Sequence, residues 1–365
     1  MPSQVAILKT EDTEESIRSS LKQAYTHIND FKSLVKAKKI IIKVNLCKPF
    51  PADSGATVDP KIVEALINLI WKKNSDVEIY LTESNSLSRS AETAFRDTGY
   101  RQLEAKYDQL HLTNLSKGAK MLVKKGDFRY FKTGLRISYL FFDCDCFISI
   151  AKLKTHEFEK CAGIIKNQFG CLPTSNKEQY HPQIGQVLGD VNSLLRPDIS
   201  IIDGIVAMEG KGPTFGTPKK MNLLIIGNDP VATDAVASRV MGFDPHDVPH
   251  LWTVAQRGLG EIESKSINTI GEPIEQVQSR FKFIPTRSFY FMRSSLKFHR
   301  LATRMSSIAS FFSYFGNLSE RLARSLYVRS VGEIITLKVF GGLINKFKTP
   351  HTFIKILISV RLALK

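Results

Sequence analysis

The stretch CFISIAKLKTH, Cys146–His156, changes character half-way: six residues suited to a buried strand, Cys146–Ala151, run without a break into Lys152, Lys154, Thr155 and His156. A short apolar run rich in β-branched and aromatic residues fits a strand covered on both faces, and such strands belong to parallel sheets. The signature recurs on either side of it. Val5–Leu8, Lys39–Val44 (KIIIKV), Val77–Leu81, Ile199–Ile202, Leu223–Ile226 and Ile267–Ile270 read as strands. Between them lie helical patterns at Thr13–Ile28, from Asp59–Pro60 onward, and at Ser86–Thr98, Lys160–Phe169, Ile184–Leu195, Ala232–Met241 and Leu251–Arg257. This alternation predicts an α/β fold over residues 1–275, mainly a parallel sheet with helices on both faces. Residues 110–140 are less regular and are expected to form short antiparallel strands, while 276–365 are expected to be a basic, aromatic, mostly helical extension.

Nearly every apolar run ends in a polar cluster. KIIIKV runs into Asn45, VEIYLT into Glu83–Ser84, CFISIA into Lys152–His156, ISII into Asp203–Gly204, and LLIIG into Asn228–Asp229–Pro230. Open parallel sheets bind ligands outside the carboxyl ends of their strands, where helix N-termini and unpaired loop amides converge. Asn45, Lys152, Lys154, His156, Lys166, Asp203 and Asp229 are therefore expected around one cleft.

Lys152, Lys154 and His156 alternate, so an extended backbone puts them on one face. With Lys43, Thr155, Lys166, Asn167 and Lys177 they suit a phosphate or carboxylate ligand, with Gly210 and Gly212 leaving bare backbone for close approach. His156, His181 and Asp203 are the candidates for acid–base work. Glu209, Asp229 and Asp234 are candidates for a hard metal, although Asp229 and Asp234 fit equally well as helix caps.

Several classes drop out of the sequence. The P-loop and G-x-G-x-x-G patterns are absent, and the five cysteines (Cys47, Cys144, Cys146, Cys161, Cys171) contain no C-x-x-C pair, so neither a nucleotide nor a ferredoxin-type cluster has a signature. Cys144 and Cys146 read as packing residues, whereas Cys47 and Cys171 lie beside polar residues. The start MPSQVAILKTEDTEES lacks a secretory layout, and no run reaches the roughly 18 apolar residues of a spanning helix. A cytoplasmic protein, peripheral at the inner membrane face, is the expectation.

The strings IKVN (42–45), TVDPKIVEALI (57–67), IAKLKTHEFEKCAGIIKNQFG (150–170), DGIVAMEGKGPTFGTP (203–218) and GNDPVATDAVASRVMGFDP (227–245) together resemble the domain of unknown function 362 family. The resemblance implies family membership over roughly 39–260 and no particular activity. Some members of that family carry ferredoxin modules, whose cysteine run this chain lacks.

The formal charge of +16 sits at one end. From Arg280 onward there are sixteen Lys and Arg against Glu320 and Glu333, with fourteen aromatics; the rest of the chain holds 35 basic and 33 acidic groups. Arg293, Lys297, Arg300 and Arg304 form one helical stripe beside Phe298, Leu301 and Met305, a pattern that fits an anionic membrane surface or a packing face in a homo-oligomer. No nucleic-acid motif accompanies it. Two functional classes follow: an enzyme acting on a small anionic ligand, or a non-catalytic accessory protein that holds an anion, metal or iron–sulfur group and carries a peripheral membrane tail.

Overall fold

The structure is a computed structural model that describes residues 2–46 and 50–285. Cys47 and the helices expected beyond 285 lie outside the described residues. In chain order the elements are β1 (Ser3–Lys9), α1 (Glu14–His27), β2 (Lys39–Val44), α2 (Pro60–Trp71), β3 (Glu78–Glu83), α3 (Ala91–Asp97), α4 (Tyr100–Glu104), β4 (Leu110–Asn114), β5 (Lys120–Val123) and β6 (Leu135–Ser138). There follow β7 (Cys146–His156), β8 (Lys160–Ala162), α5 (Ile164–Asn167), α6 (Ile184–Leu194), β9 (Ile199–Glu209), β10 (Thr217–Gly227), α7 (Pro230–Val240), α8 (Pro249–Ala255), β11 (Ile267–Gly271) and α9 (Ile274–Val277). A nine-stranded sheet in the order β11-β1-β10-β9-β7-β2-β3-β4, with β8 beside β7, forms the centre. Only β10 and β8 run against the other strands.

Alternation explains the layering. Ala6 and Leu8 of β1, with Ile40 and Ile42 of β2, pack against α1 and α2 through Ile17, Leu21, Leu66 and Ile67. Val5 and Ile7 face the opposite way, into the layer that holds Leu188 of α6, Val236 of α7 and Leu251 of α8. A period of two thus sends successive residues to two apolar layers and places helices on both faces. Helix starts follow the capping residues: Thr13 accepts from Ser16 N, Asp59 from Lys61 N, and Asp229 from Val231 N and Ala232 N, the last two just ahead of a proline. Each such cap contributes about 1 kcal/mol.

Several elements differ from expectation. Leu110–Asn114 is not part of an antiparallel insert but the parallel edge strand beside β3; within 110–140 the antiparallel pair is β5 with β6. Lys160–Phe169 is not one helix, because the chain reverses at Glu159–Lys160, Lys160 taking a left-handed φ of 62°, and β8 folds back on β7 before the short α5. Helix α3 starts only at Ala91, after a tight turn across Ser86–Arg89. Strands β7, β9 and β10 run to eleven residues each, because their polar ends pair with one another instead of turning away. Past residue 275, Ser279 N donates to Val240 O at 2.8 Å and Gly210 N to Lys282 O at 2.8 Å.

Candidate functional site

The carboxyl ends of β2, β3, β7 and β9 carry an unusual set of buried lysines. Lys43, Lys152 and Lys154 are each at most 2% exposed. A buried ammonium needs partners, and each has them. Lys152 Nζ pairs with Asp203 at 2.7 Å. Lys43 Nζ donates to Glu83 at 3.1 Å and to the Val44 carbonyl at 2.7 Å. Lys154 Nζ donates to Asn45 Oδ1 at 2.8 Å and the Ala56 carbonyl at 2.6 Å, both neutral acceptors. Asp203 also accepts from Asp59 N at 3.2 Å, which ties the start of α2 to the site.

Asn167 at the end of α5 joins these networks. Its amide nitrogen donates to Ser149 Oγ, Lys43 O and Ile150 O, and its oxygen lies 3.4 Å from both Lys43 Nζ and Asn45 Nδ2. Helix α5 itself is set by Asp234, whose two carboxylate oxygens accept from Ile164 N at 2.7 Å and Ile165 N at 2.9 Å. Gly163 permits this approach: a Cβ there would lie 2.2 Å from Asp234 Oδ1.

Between these elements lies a cavity of about 60 Å³, lined by Asn45, Ala151, Lys152, Lys154, His156, Ala162, Gly163, Lys166, Asn167 and Pro213. One water needs roughly 10–15 Å³ on this scale, so the space suits a group of a few non-hydrogen atoms. His156 Nδ1 accepts from Phe158 N at 3.3 Å, which leaves the proton of a neutral ring on Nε2. Burial, and then the nearby Lys166 and His181, hold the His156 imidazole well below the usual histidine range. It is neutral at pH 7.

Over residues 40–239 the sequence matches the family described as Domain of unknown function (DUF362). The chain belongs to this family. A thylakoid-associated protein of Synechocystis sp. is 25% identical over 291 residues, covering 77% of this chain and 88% of that protein. The lactate racemase apoprotein of Thermoanaerobacterium thermosaccharolyticum superposes with a TM-score of 0.45 at 13% identity, over 65% of this chain and 56% of that one.

All the cavity residues of this DUF362 chain, from Asn45 to Pro213, fall inside the matched span. Six of the residues expected at the site meet there: Asn45, Lys152, Lys154, His156, Lys166 and Asn167. Lys43 and Asp203 stand directly behind them. Thr155 points the other way and donates to Gly210 O at 3.1 Å, and Gly212 packs so closely on the Thr155 carbonyl that a Cβ would sit 2.0 Å from it. These glycines bring the β9–β10 connection against β7. His181 is one layer removed, its ring against Phe158 and Phe169, and burial pushes it down to about 4. Lys177 donates to the Asn85 carbonyl instead, beside the Lys43–Glu83 pair, and burial lowers it to about 8.

Asp229 is not at this rim. Because β10 runs antiparallel to β9, its end at Gly227 pairs with Ser200, so Asp229 lies at the opposite edge, where it accepts from Ser3 Oγ and Glu261 N. Glu209 pairs with Lys219 and accepts from Lys282 N, while Asp234 serves α5. The three metal candidates therefore do not converge, and among the described residues no group of three or more His, Cys, Asp or Glu is placed to hold a metal ion. Cys171 is buried and its thiol is pushed up to about 12, too high for a thiolate at neutral pH. Glu83 and Asp59 were not among the expected site residues. Glu83 is visible in the sequence as a strand-ending carboxylate, but its pairing with Lys43 depends on the register of β2 against β3; Asp59 reads from sequence only as the helix cap that it also is.

No helix among the described residues is long and apolar enough to cross a membrane.

Proposed function

We propose that this DUF362 protein binds a small oxyanion, a carboxylate or phosphate group, in the cavity at the ends of β2, β7 and β9. The observation that carries this reading is the composition of the lining: three lysines, a histidine and two asparagines, with no Asp or Glu among the described residues that form it. Ammonium and amide groups from separate segments, gathered around one half-open space, favour negative charge there because partial burial strengthens each interaction. In a catalytic version, His156 exchanges a proton with the bound group, since it lines the cavity; Asp203 acts by holding Lys152, and His181 by packing behind His156. Titration calorimetry of the full-length protein with inorganic phosphate and with a simple carboxylate, against chloride, tests the reading. Saturable heat with either oxyanion, weakened in Lys166→Met, is the expected result, and no binding of either at millimolar concentration sinks it.

A second reading concerns location. The basic, aromatic sequence after Arg280 and the thylakoid-associated relative together favour peripheral contact with an anionic membrane. Sedimentation with anionic vesicles at low salt, and its loss at high salt, is the expected behaviour.

A further inference from the structure

We propose that the tip of the β9–β10 hairpin is a membrane-docking face, at which Phe215 enters the headgroup region of an anionic bilayer. Strand β9 ends at Glu209 and β10 begins at Thr217, so residues 210–216 form the tip. Phe215 is 74% exposed, more than any other large hydrophobic side chain among the described residues. Its backbone is tethered. Phe215 N donates to Lys211 O at 3.2 Å, and its ring meets Phe50 edge-on at 6.3 Å. A phenyl group presented on a held backbone loses little freedom when it is buried, which favours insertion.

The surroundings specify the partner. Lys211 and Lys220 are exposed on the same hairpin, against Asp53 beside Phe50 and Glu157 beside Gly212. Glu209 is committed to Lys219, whose ammonium also lies 5.0 Å from the Phe281 ring centre. Ile284, 46% exposed, reaches within 3.8 Å of a Cβ built on Gly210, and Phe283 bridges to Gly210. Residues 282–284 thus run along this tip, and the sequence that follows from 286 holds fourteen Lys and Arg against two acids. Exposed aromatic and aliphatic groups on a tip whose own lysines and acids nearly balance, followed in sequence by a strongly basic stretch, match an anionic lipid surface.

This proposal rests on the membrane reading above, and the experiment separates the two. Full-length protein is sedimented with vesicles of phosphatidylcholine alone and of phosphatidylcholine mixed with phosphatidylglycerol. Phe215→Ser is compared with Tyr139→Ser, which changes a residue 52% exposed in the connection between β6 and β7. Phe215→Ser is expected to weaken partitioning into the mixed vesicles about tenfold or more, as loss of one buried phenyl requires, with Tyr139→Ser unchanged. If the wild type binds and Phe215→Ser binds equally well, or both variants weaken alike, the hairpin is not the docking face although the tail's association stands. If the wild type binds neither vesicle, both ideas fall.

Discussion

Lys154 and Lys166 line the same cavity, yet replacing them has different consequences. Lys154 is buried and bonded to Asn45 and Ala56, so Lys154→Met strands two acceptors and is expected to cost about 1–3 kcal/mol of stability in urea unfolding as well as anion affinity. Lys166 is half-buried, so Lys166→Met should change stability by less than about 1 kcal/mol while weakening phosphate binding. The titrating histidine nearby gives a pH prediction. His181 is lowered to about 4, so the folded state resists protonation that the unfolded chain accepts near 6.5. Its contribution is fully present above pH 6.5 and is lost as pH falls toward 4. The denaturation midpoint should therefore fall over that window in the wild type and fall less in His181→Phe; equal slopes would remove His181 from the acid response. At this scale much was legible: alternation along Lys152–His156 placed three side chains in one cavity. What sequence could not disclose is that two of the lysines are already held by protein groups, since Asp203 and Asn45 are distant along the chain.

Helix α5 has only four residues, too few for helix propensity to hold it, and it is fixed by Asp234 from α7. Burial raises Asp234 to about 6, so its charge is carried at neutral pH by the two N–H groups it accepts. Gly163→Ala places a methyl against that carboxylate and is expected to cost about 1–3 kcal/mol and to displace Lys166 and Asn167. Phosphate affinity in Gly163→Ala should drop at least as far as in Lys166→Met. Affinity equal to wild type in a folded Gly163→Ala protein would show that α5 does not position the site. The expectation of a longer helix over Lys160–Phe169 failed because apolar spacing does not register a left-handed residue at Lys160, which turns the chain before the helix can start.

Across the whole molecule, a ligand held by the native cavity and not by the unfolded chain stabilises by mass action. Phosphate at a hundred times its dissociation constant adds about 2.7 kcal/mol, which should raise the melting temperature by several degrees while an equal ionic strength of chloride does not. Identical melting curves in the two salts would contradict the site. The α/β class could be read from the alternation of strands and helices, and the gathering of Asn45, Lys152, Lys154 and His156 at one rim from strand-ending clusters. The direction of β10 could not, because an apolar run of Leu223–Ile226 has the same composition whichever way it lies; that single reversal sent Asp229 to the far edge. It also makes β9 and β10 a long hairpin, and hence supplies the connection that carries Phe215.

The placement of β1 bears on how the chain is made. Ser3–Lys9 leaves the ribosome long before its two neighbours in the sheet, Thr217–Gly227 and Ile267–Gly271. At a synthesis rate of roughly 5–20 residues per second, the amino-terminal strand waits on the order of ten seconds or more for the edges that will pair with it. During that interval its apolar residues Val5–Leu8 are an unpaired β-segment in need of shielding, a natural target for nascent-chain chaperones.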